Sequence, residues 1–364
     1  MKYTVTSLFS GIGGLDTGFG GEVCVHKNSI SDDLIPYIET PHRNFPHFVK
    51  LRKLNFIVKF QNDIMEGAKK IWELNNRKSP EYIVKSIITL LDDNYIFPNS
   101  DVIIGGFPCK DFSHCGKRRG FKSEKSHDLI DDATGDNNRG TLYKSFVQVV
   151  QKTLPKVFVA ENVYGILTMK GNPLDIIIND FKQIGYDVKY TLIKCNEHGI
   201  PQTRWRVIII GICIDKQKYP LQENWNEINM NEIECPIKHY FHHLLEPSET
   251  TDISQSVYSK AKKLTKGQGQ KEINMDGFAP TIRAEHHGNI EFRRHDVSIN
   301  TGESHLPERR LTVREAGLCQ TFSPDFKFCL NNEMTSYKYI GNSVPPLLSY
   351  LIALKIEKLL DTYF

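Results

Sequence analysis

The run Asp101-Val102-Ile103-Ile104 constrains this chain more than any other stretch. It has the length and β-branched character of a buried strand. It ends on Gly105-Gly106 and leads into Phe107-Pro108-Cys109. A cysteine at the carboxyl tip of such a strand lies where open α/β sheets bind their ligands. Lys110, Lys117, Arg118 and Arg119 follow, cations that would lower a thiol's pKa and also meet phosphates. A free thiol is only a few per cent thiolate at neutral pH, so a nucleophile needs such surroundings. A buried structural cysteine is the plainer reading of the same residue, and the rest of the chain decides between the two.

Other strands end in the same way. Tyr3 to Leu8 alternates like a strand and runs straight into Phe9-Ser10-Gly11-Ile12-Gly13-Gly14-Leu15. A strand, a glycine turn and a helix start make a cofactor cradle, with backbone free to approach a ligand and a helix N-terminus that attracts an anion. The spacing is GxGG rather than the dinucleotide GxGxxG, no Walker lysine is present, and a plain tight turn is the alternative. Phe56 to Phe60 resumes strand character and leads to Asn62-Asp63. A carboxylate there holds a ribose hydroxyl or caps the helix that follows, Glu66 to Leu74. Val157 to Ala160 is a third buried strand, ending in Glu161-Asn162, and a helical spacing of Leu142, Phe146, Val149, Val150 and Leu154 precedes it. Thr203 to Ile212 is led by Gln202, Arg204 and Arg206, which a period of two sets on one face. Two arginines on an otherwise apolar strand call for an anion, either a carboxylate or a nucleotide.

Elsewhere the pattern breaks. Cys24 to Asn55, with Pro36, Pro41 and Pro46, reads as an inserted loop or short subdomain, and Ser123 to Asn138 has the composition of a mobile loop. From Asp215 to about Ser304 strand–helix alternation is lost. Ser254 to Lys271 holds five lysines and no acid, and Pro280 to Asp296 mixes arginine, histidine and asparagine as phosphate and base-edge contacts do. Thr312 opens a helix with a capping box to Glu315. Gly341 to Pro346 leads into an amphipathic helix running to Leu360, with proline in its first turn.

The 364 residues suffice for one large or two ordinary domains. With 40% apolar and 24% charged residues the chain is of the soluble globular class. A net charge of +3 leaves any nucleic-acid affinity to local patches. Val207 to Ile214, the longest apolar run, is too short to span a bilayer, and no signal peptide follows Met1-Lys2. Eight cysteines without CxxC spacing argue against a zinc cluster and for a reducing cytosol. His239, His242 and His243 lack paired ligands nearby in the sequence, so no metal is expected.

Taken in order and spacing, FSGIGG, GGFPC, ENV, QTRWR and GNSVPP resemble the motifs of the DNA (cytosine-5)-methyltransferases. Leu311 to Phe322, preceded by Arg309-Arg310, is similar to that family's ninth motif. The resemblance covers nearly all of the chain outside about 20–55 and 213–280. It implies an α/β fold with the Rossmann-like, mostly parallel sheet of a class I S-adenosylmethionine-dependent methyltransferase. Residues 1–212, completed by 334–364, would form the catalytic domain, and 213–333 a smaller, irregular target-recognition domain.

The same resemblance implies roles. Cys109 would add to carbon 6 of a flipped cytosine, with Pro108 shaping the turn. Glu161 would hold the base through its exocyclic amine and ring nitrogen 3, and Arg206 with Arg204 would sit over its carbonyl oxygen. S-adenosylmethionine, leaving as S-adenosylhomocysteine, would be lined by Phe9, Gly11, Gly13, Gly14 and Leu15. Asp63 would take the ribose hydroxyls and Ile64 would pack on adenine. Pro108, Leu142, Asn342, Ser343 and Val344 would close the pocket, and Cys109 to Asn138 would be the loop that shuts behind the flipped base. Double-stranded DNA would be the partner, touched by Ser113, Lys117, Arg118, Lys260, Lys263, Arg283, Arg293 and Arg294, the lysines on phosphates and the later arginines on base edges. A monomeric, cytoplasmic prokaryotic enzyme with a companion restriction endonuclease and no metal is implied as well. Three departures stand out: Lys110 where the family usually has glutamine, no acid near Ser86-Ile87 to meet the adenine amine, and the Cys24 to Asn55 insertion. An RNA methyltransferase of similar motif order and a DNA-binding regulator without catalysis are the rival readings.

Overall fold

The computed structural model describes residues 2–75, 81–108, 142–227, 232–260, 273–284, 292–293, 309–328 and 333–364. The expected loop Cys109 to Asn138, with Cys109, Ser113, Lys117 and Arg118, lies outside the described residues, as do Lys263 and Arg294. The chain opens with β1 (Tyr3–Leu8) and the short α1 (Gly14–Gly18), then three small strands, β2 (Cys24–His26), β3 (Ile38–Pro41) and β4 (Phe48–Leu51). Next come β5 (Phe56–Asp63), α2 (Glu66–Asn75), β6 (Glu81–Val84), α3 (Ile87–Asp92) and β7 (Val102–Gly105). α4 (Leu142–Thr153), β8 (Val157–Val163), α5 (Pro173–Gln183), β9 (Tyr186–Lys194), β10 (Gln202–Thr203) and β11 (Trp205–Cys213) follow. The remainder holds α6 (Lys238–Phe241), α7 (Ile253–Ser256), β12 (Ala279–Pro280), β13 (Phe292–Arg293), β14 (Arg309–Arg310), α8 (Val313–Cys319), α9 (Glu333–Asn342) and α10 (Pro346–Tyr363).

The main sheet has the order β6-β5-β1-β7-β8-β11-β9. Its neighbours are parallel except around β11, which runs antiparallel to both β8 and β9. This is the mostly parallel sheet expected from the sequence. Strands buried on both faces read as continuous valine and isoleucine runs, and here alternate residues feed two cores. Val5, Val102, Ile104, Val159, Ile208 and Ile210 face the side covered by α1 and α10. Leu8, Ile103, Phe158, Ala160, Val207 and Ile209 face the side covered by α3, α4 and α5.

α10 departs from the amphipathic expectation. Of its residues only Lys355, Lys358, Asp361 and Thr362 escape burial. One side lies on the sheet and on α1, where a Cβ at Gly18 would stand 2.3 Å from the Ser349 carbonyl carbon. Another is covered by the 24–55 insertion: Tyr350 donates to the Arg52 carbonyl at 2.8 Å, and Glu357 accepts from the Asn55 amide at 2.7 Å.

The insertion is ordered as a three-stranded antiparallel sheet, β2-β4-β3. Val23 and Val25 join the core around α10, whereas Cys24 and Phe48 join a second core with Ile237, Tyr240, Phe241, Leu311 and Val313. β2 thus puts one face on each core. The chain between β11 and α9 is held to that second core by buried charge: Arg309 pairs with Glu246 at 3.0 Å and Glu315 at 2.9 Å.

Candidate functional site

β1, β5, β7 and β8 all finish at one edge of the sheet. Asp63, the last residue of β5, is 9% exposed there. Its Oδ2 accepts from the Gly11 amide at 2.9 Å and its Oδ1 from the Met65 amide at 2.9 Å. The carboxylate therefore fastens the glycine turn after β1 to the tip of β5, and also serves the entry to α2. Burial pushes its pKa up against those hydrogen bonds.

The turn itself needs glycine. Gly11 has φ +54° and Gly13 φ +86°, values that side chains with a Cβ seldom adopt. A Cβ at Gly11 would meet nothing within 4 Å, so its backbone faces open space, while one at Gly13 would strike the Trp72 ring at 2.6 Å. The Gly11 carbonyl accepts from the Tyr82 hydroxyl at 2.8 Å. Tyr82 escaped the sequence reading because only the pairing of β6 with β5 brings it to the turn.

Gly14 lies against the chain between α9 and α10: a Cβ there would stand 2.4 Å from the Val344 carbonyl oxygen and 3.0 Å from Ser343 Cβ. The structure thus brings the first motif against Ser343 and Val344. Gly14 is a close-packing glycine, and the Leu15 side chain belongs to the core beneath, because α1 lies flat on the sheet. Phe9 has φ +55° and is half-buried, and Ile64 beside Asp63 is 41% exposed. Leu142 and Pro108 are half-buried. Ile87 is buried in the core with α4 and α5.

Glu161 does not stand at a strand tip, as the sequence suggested. β8 continues to Val163 because β11 supplies it with partners, whereas β7 stops at Gly105, opposite Ala160. Glu161 therefore rises one residue beyond β7 and faces the Gly106–Pro108 segment, where a Cβ at Gly106 would lie 3.1 Å from Glu161 Oε2. The antiparallel register pairs Glu161 with Ile208 and Val163 with Arg206, so Glu161 and Arg206 share a face. Arg206 Nε is 2.6 Å from Glu161 Oε1, with both side chains nearly buried.

Arg204 does not join them. The strand expected over 203–212 is interrupted there, and β10 pairs with β12 instead. The Arg204 guanidinium donates to the carbonyls of Ile282 at 3.0 Å, Gly341 at 3.1 Å and Ser343 at 3.0 Å, and the residue is 1% exposed. Burial first, and Arg206 second, push its pKa down to about 9. Carbonyl oxygens take the place of the expected anion. Gln202 is similarly spent, donating to the Cys319 carbonyl at 2.9 Å and accepting from the Ile282 amide at 2.9 Å.

Among the expected DNA contacts, Lys260 is exposed with its ammonium 3.4 Å from the centre of the Tyr258 ring. The Arg283 backbone packs against Gly341, and Arg293 pairs with Arg309 between β13 and β14. Asp16 in α1 is a further residue the sequence reading passed over. It is 4% exposed, and burial pushes its carboxyl up to about 7.

The pattern of the C-5 cytosine-specific DNA methylase family matches residues 3–358. Type II methyltransferase M.BsuRI of Bacillus subtilis is 30% identical over 374 residues, covering 97% of this chain and 78% of that one. Type II methyltransferase M.BspRI of Lysinibacillus sphaericus is 30% identical over 389 residues, covering 100% of this chain and 83% of its own. Among solved structures, the Entamoeba histolytica methyltransferase EhMeth superposes with a TM-score of 0.62 at 19% identity, covering 99% of both chains.

Proposed function

The chain belongs to the C-5 cytosine-specific DNA methylase family, and from that premise we propose how its residues divide the work. It is a DNA (cytosine-5)-methyltransferase of the Type II restriction–modification kind. The described residues suit S-adenosylmethionine: an acid at the β5 tip for a ribose diol, an exposed Ile64 for a purine face, and the open backbone of Gly11. That cofactor supplies the electrophilic methyl group.

Carbon 5 of cytosine is a poor nucleophile until carbon 6 is attacked. In this reading Cys109, as thiolate, forms a bond to carbon 6, and the electron pair released to carbon 5 takes the methyl group. Loss of the carbon 5 proton then expels the thiolate and restores the ring. Glu161 holds the exocyclic amine and ring nitrogen 3, and Arg206 fixes the Glu161 carboxyl while covering the carbonyl oxygen. Arg204 is reassigned from the base to the scaffold, since its two terminal nitrogens donate to the carbonyls of Ile282, Gly341 and Ser343. A base inside a stacked duplex is out of reach, so it must be flipped, at a cost of a few kcal/mol. Residues 213–333 are read as the target-recognition lobe on the catalytic lobe 1–212 and 334–364, and the enzyme as a cytoplasmic monomer with a companion endonuclease.

One observation carries this reading: the Glu161–Arg206 pair, 2.6 Å apart, lies on the sheet edge that holds the Asp63–Gly11 turn and leads from β7 toward Cys109. The test is transfer of tritiated methyl from S-adenosylmethionine to duplex DNA and to total RNA, with bisulfite sequencing of the DNA. Label in cytosines of one DNA context, lost in Cys109→Ala, is expected. Label confined to RNA overturns the substrate, and methylation that survives Cys109→Ala overturns the nucleophile.

A further inference from the structure

The Asp16 carboxyl is buried beneath the glycine turn with no cation to balance it. Ser7 and Gln61, paired across β1 and β5, are the polar side chains that approach it. Neither Asp16 oxygen makes a hydrogen bond of ordinary geometry, and the Gln61 Oε1 is likewise buried without a donor. Asp63 lies two residues beyond Gln61 and so shares its face of β5. Tyr82 from β6 lies near both acids, and Glu66 from α2 and Tyr339 from α9 lie near Tyr82 in turn; none of the three is a cation. Neither acid forms an ion pair among the described residues.

Two buried acids without a cation are a costly arrangement unless they stay protonated or a positive charge arrives. S-adenosylmethionine brings such a charge: its sulfonium and α-ammonium outweigh its one carboxylate. S-adenosylhomocysteine has lost the sulfonium charge. We propose that Asp16 is a further cofactor-site residue, a buried acid beneath the glycine turn that balances the net positive charge of S-adenosylmethionine while Asp63 takes the ribose hydroxyls, so that cofactor binding expels a proton from the cradle. This deepens the cofactor reading above and rests on it. It would also make the used cofactor the weaker partner of the ionised site, which favours product release.

The test is calorimetric titration of the full chain with S-adenosylmethionine and with S-adenosylhomocysteine from pH 5.5 to 7.5. Each titration is run in two buffers of different ionisation heat, which counts protons directly. The window stops there because the ligands' shared α-ammonium titrates near 8. One linked proton changes affinity up to about tenfold per pH unit, so S-adenosylmethionine should bind roughly tenfold more tightly at pH 7.5 than at 5.5 and release protons. S-adenosylhomocysteine should release fewer. Asp16→Asn should halve the release or better and flatten the pH dependence. Wild-type protein that binds S-adenosylmethionine with no proton release overturns the inference without any variant, as does Asp16→Asn releasing as many protons as wild type. Failure of wild-type protein to bind S-adenosylmethionine at all would instead overturn the cofactor reading itself.

Discussion

Arg204 and Arg206 stand two positions apart in one short motif, yet they do different things. Arg206 meets a carboxylate at the sheet edge, while Arg204 ties the chain after β12 to the end of α9 and the turn beyond it through three carbonyls. Removing the Arg204 head would leave those acceptors buried and unpaired, at roughly 1–3 kcal/mol for each group left unmade. Arg204→Ala should therefore lower the thermal midpoint sharply, by an amount corresponding to about 3 kcal/mol or more. An unchanged midpoint with lost turnover would return Arg204 to the base. Gly106 gives the complementary test. A methyl group there would stand 3.1 Å from Glu161 Oε2, so the carboxyl must shift by a few tenths of an ångström. Since a misplacement of about 1 Å can cost 100-fold, Gly106→Ala should reduce kcat roughly tenfold. Its S-adenosylmethionine affinity should stay that of wild type.

α8 was legible as an element because its start is written locally. Thr312 accepts from the Glu315 amide at 3.0 Å and the Glu315 carboxylate accepts from the Thr312 amide at 2.9 Å, the reciprocal pair its spacing predicts. The same residues also work at long range. The Thr312 hydroxyl donates to Gln255 Oε1 at 2.7 Å, and Glu315 carries the buried Arg309. Thr312→Ala should cost more than the usual cap value of about 1 kcal/mol, because Gln255 loses its donor. Glu315→Gln should cost roughly 1.5–3 kcal/mol, the worth of a charge-assisted hydrogen bond, because Arg309 keeps Glu246. Urea unfolding of the two variants checks the order, and equal costs would mean the network adds nothing to the cap.

Across the whole molecule, the insertion and the chain after β11 meet at a set of imidazoles. His26 lies 6.0 Å from His47, 5.4 Å from His239 and 6.4 Å from His242, ring centre to ring centre. Burial, then the neighbouring imidazoles, lower the pKa of His26 to about 3 and that of His243 to about 4. An unfolded chain takes up these protons near 6.5 while the folded chain refuses them. Their contribution to stability is thus complete above about pH 6.5 and declines as the pH falls toward 4, by at most about 1.4 kcal/mol per pH unit for each proton refused. Asp16, raised by burial, has the opposite slope between its unfolded value and about 7. The clean measurement is therefore the difference between wild type and His26→Gln. The urea midpoint of wild type should lose more between pH 7 and 5 than that of the variant, and parallel losses would rule out the histidine contribution.

What the sequence determined by itself is what neighbours along the chain encode: the strand runs, the helix Leu142–Thr153, the cap at Thr312, and the motif order that marks the family. Parallel strands that end together set Asp63 and the segment leading to Cys109 at one edge, whereas only the antiparallel pairing of β11 with β8 brings Arg206 to Glu161. Tertiary structure alone decided which partner each polar group received. It broke the strand at Arg204 because three carbonyls elsewhere needed donors, and it buried nearly every face of α10 because an insertion covered the side a helical period leaves to water. It brought Tyr82 to the glycine turn through strand pairing and buried Asp16 of α1 beside Ser7 and Gln61. Periodicity encodes which residues are buried, whereas the partner of a buried polar group comes from a distant part of the chain and leaves no local trace.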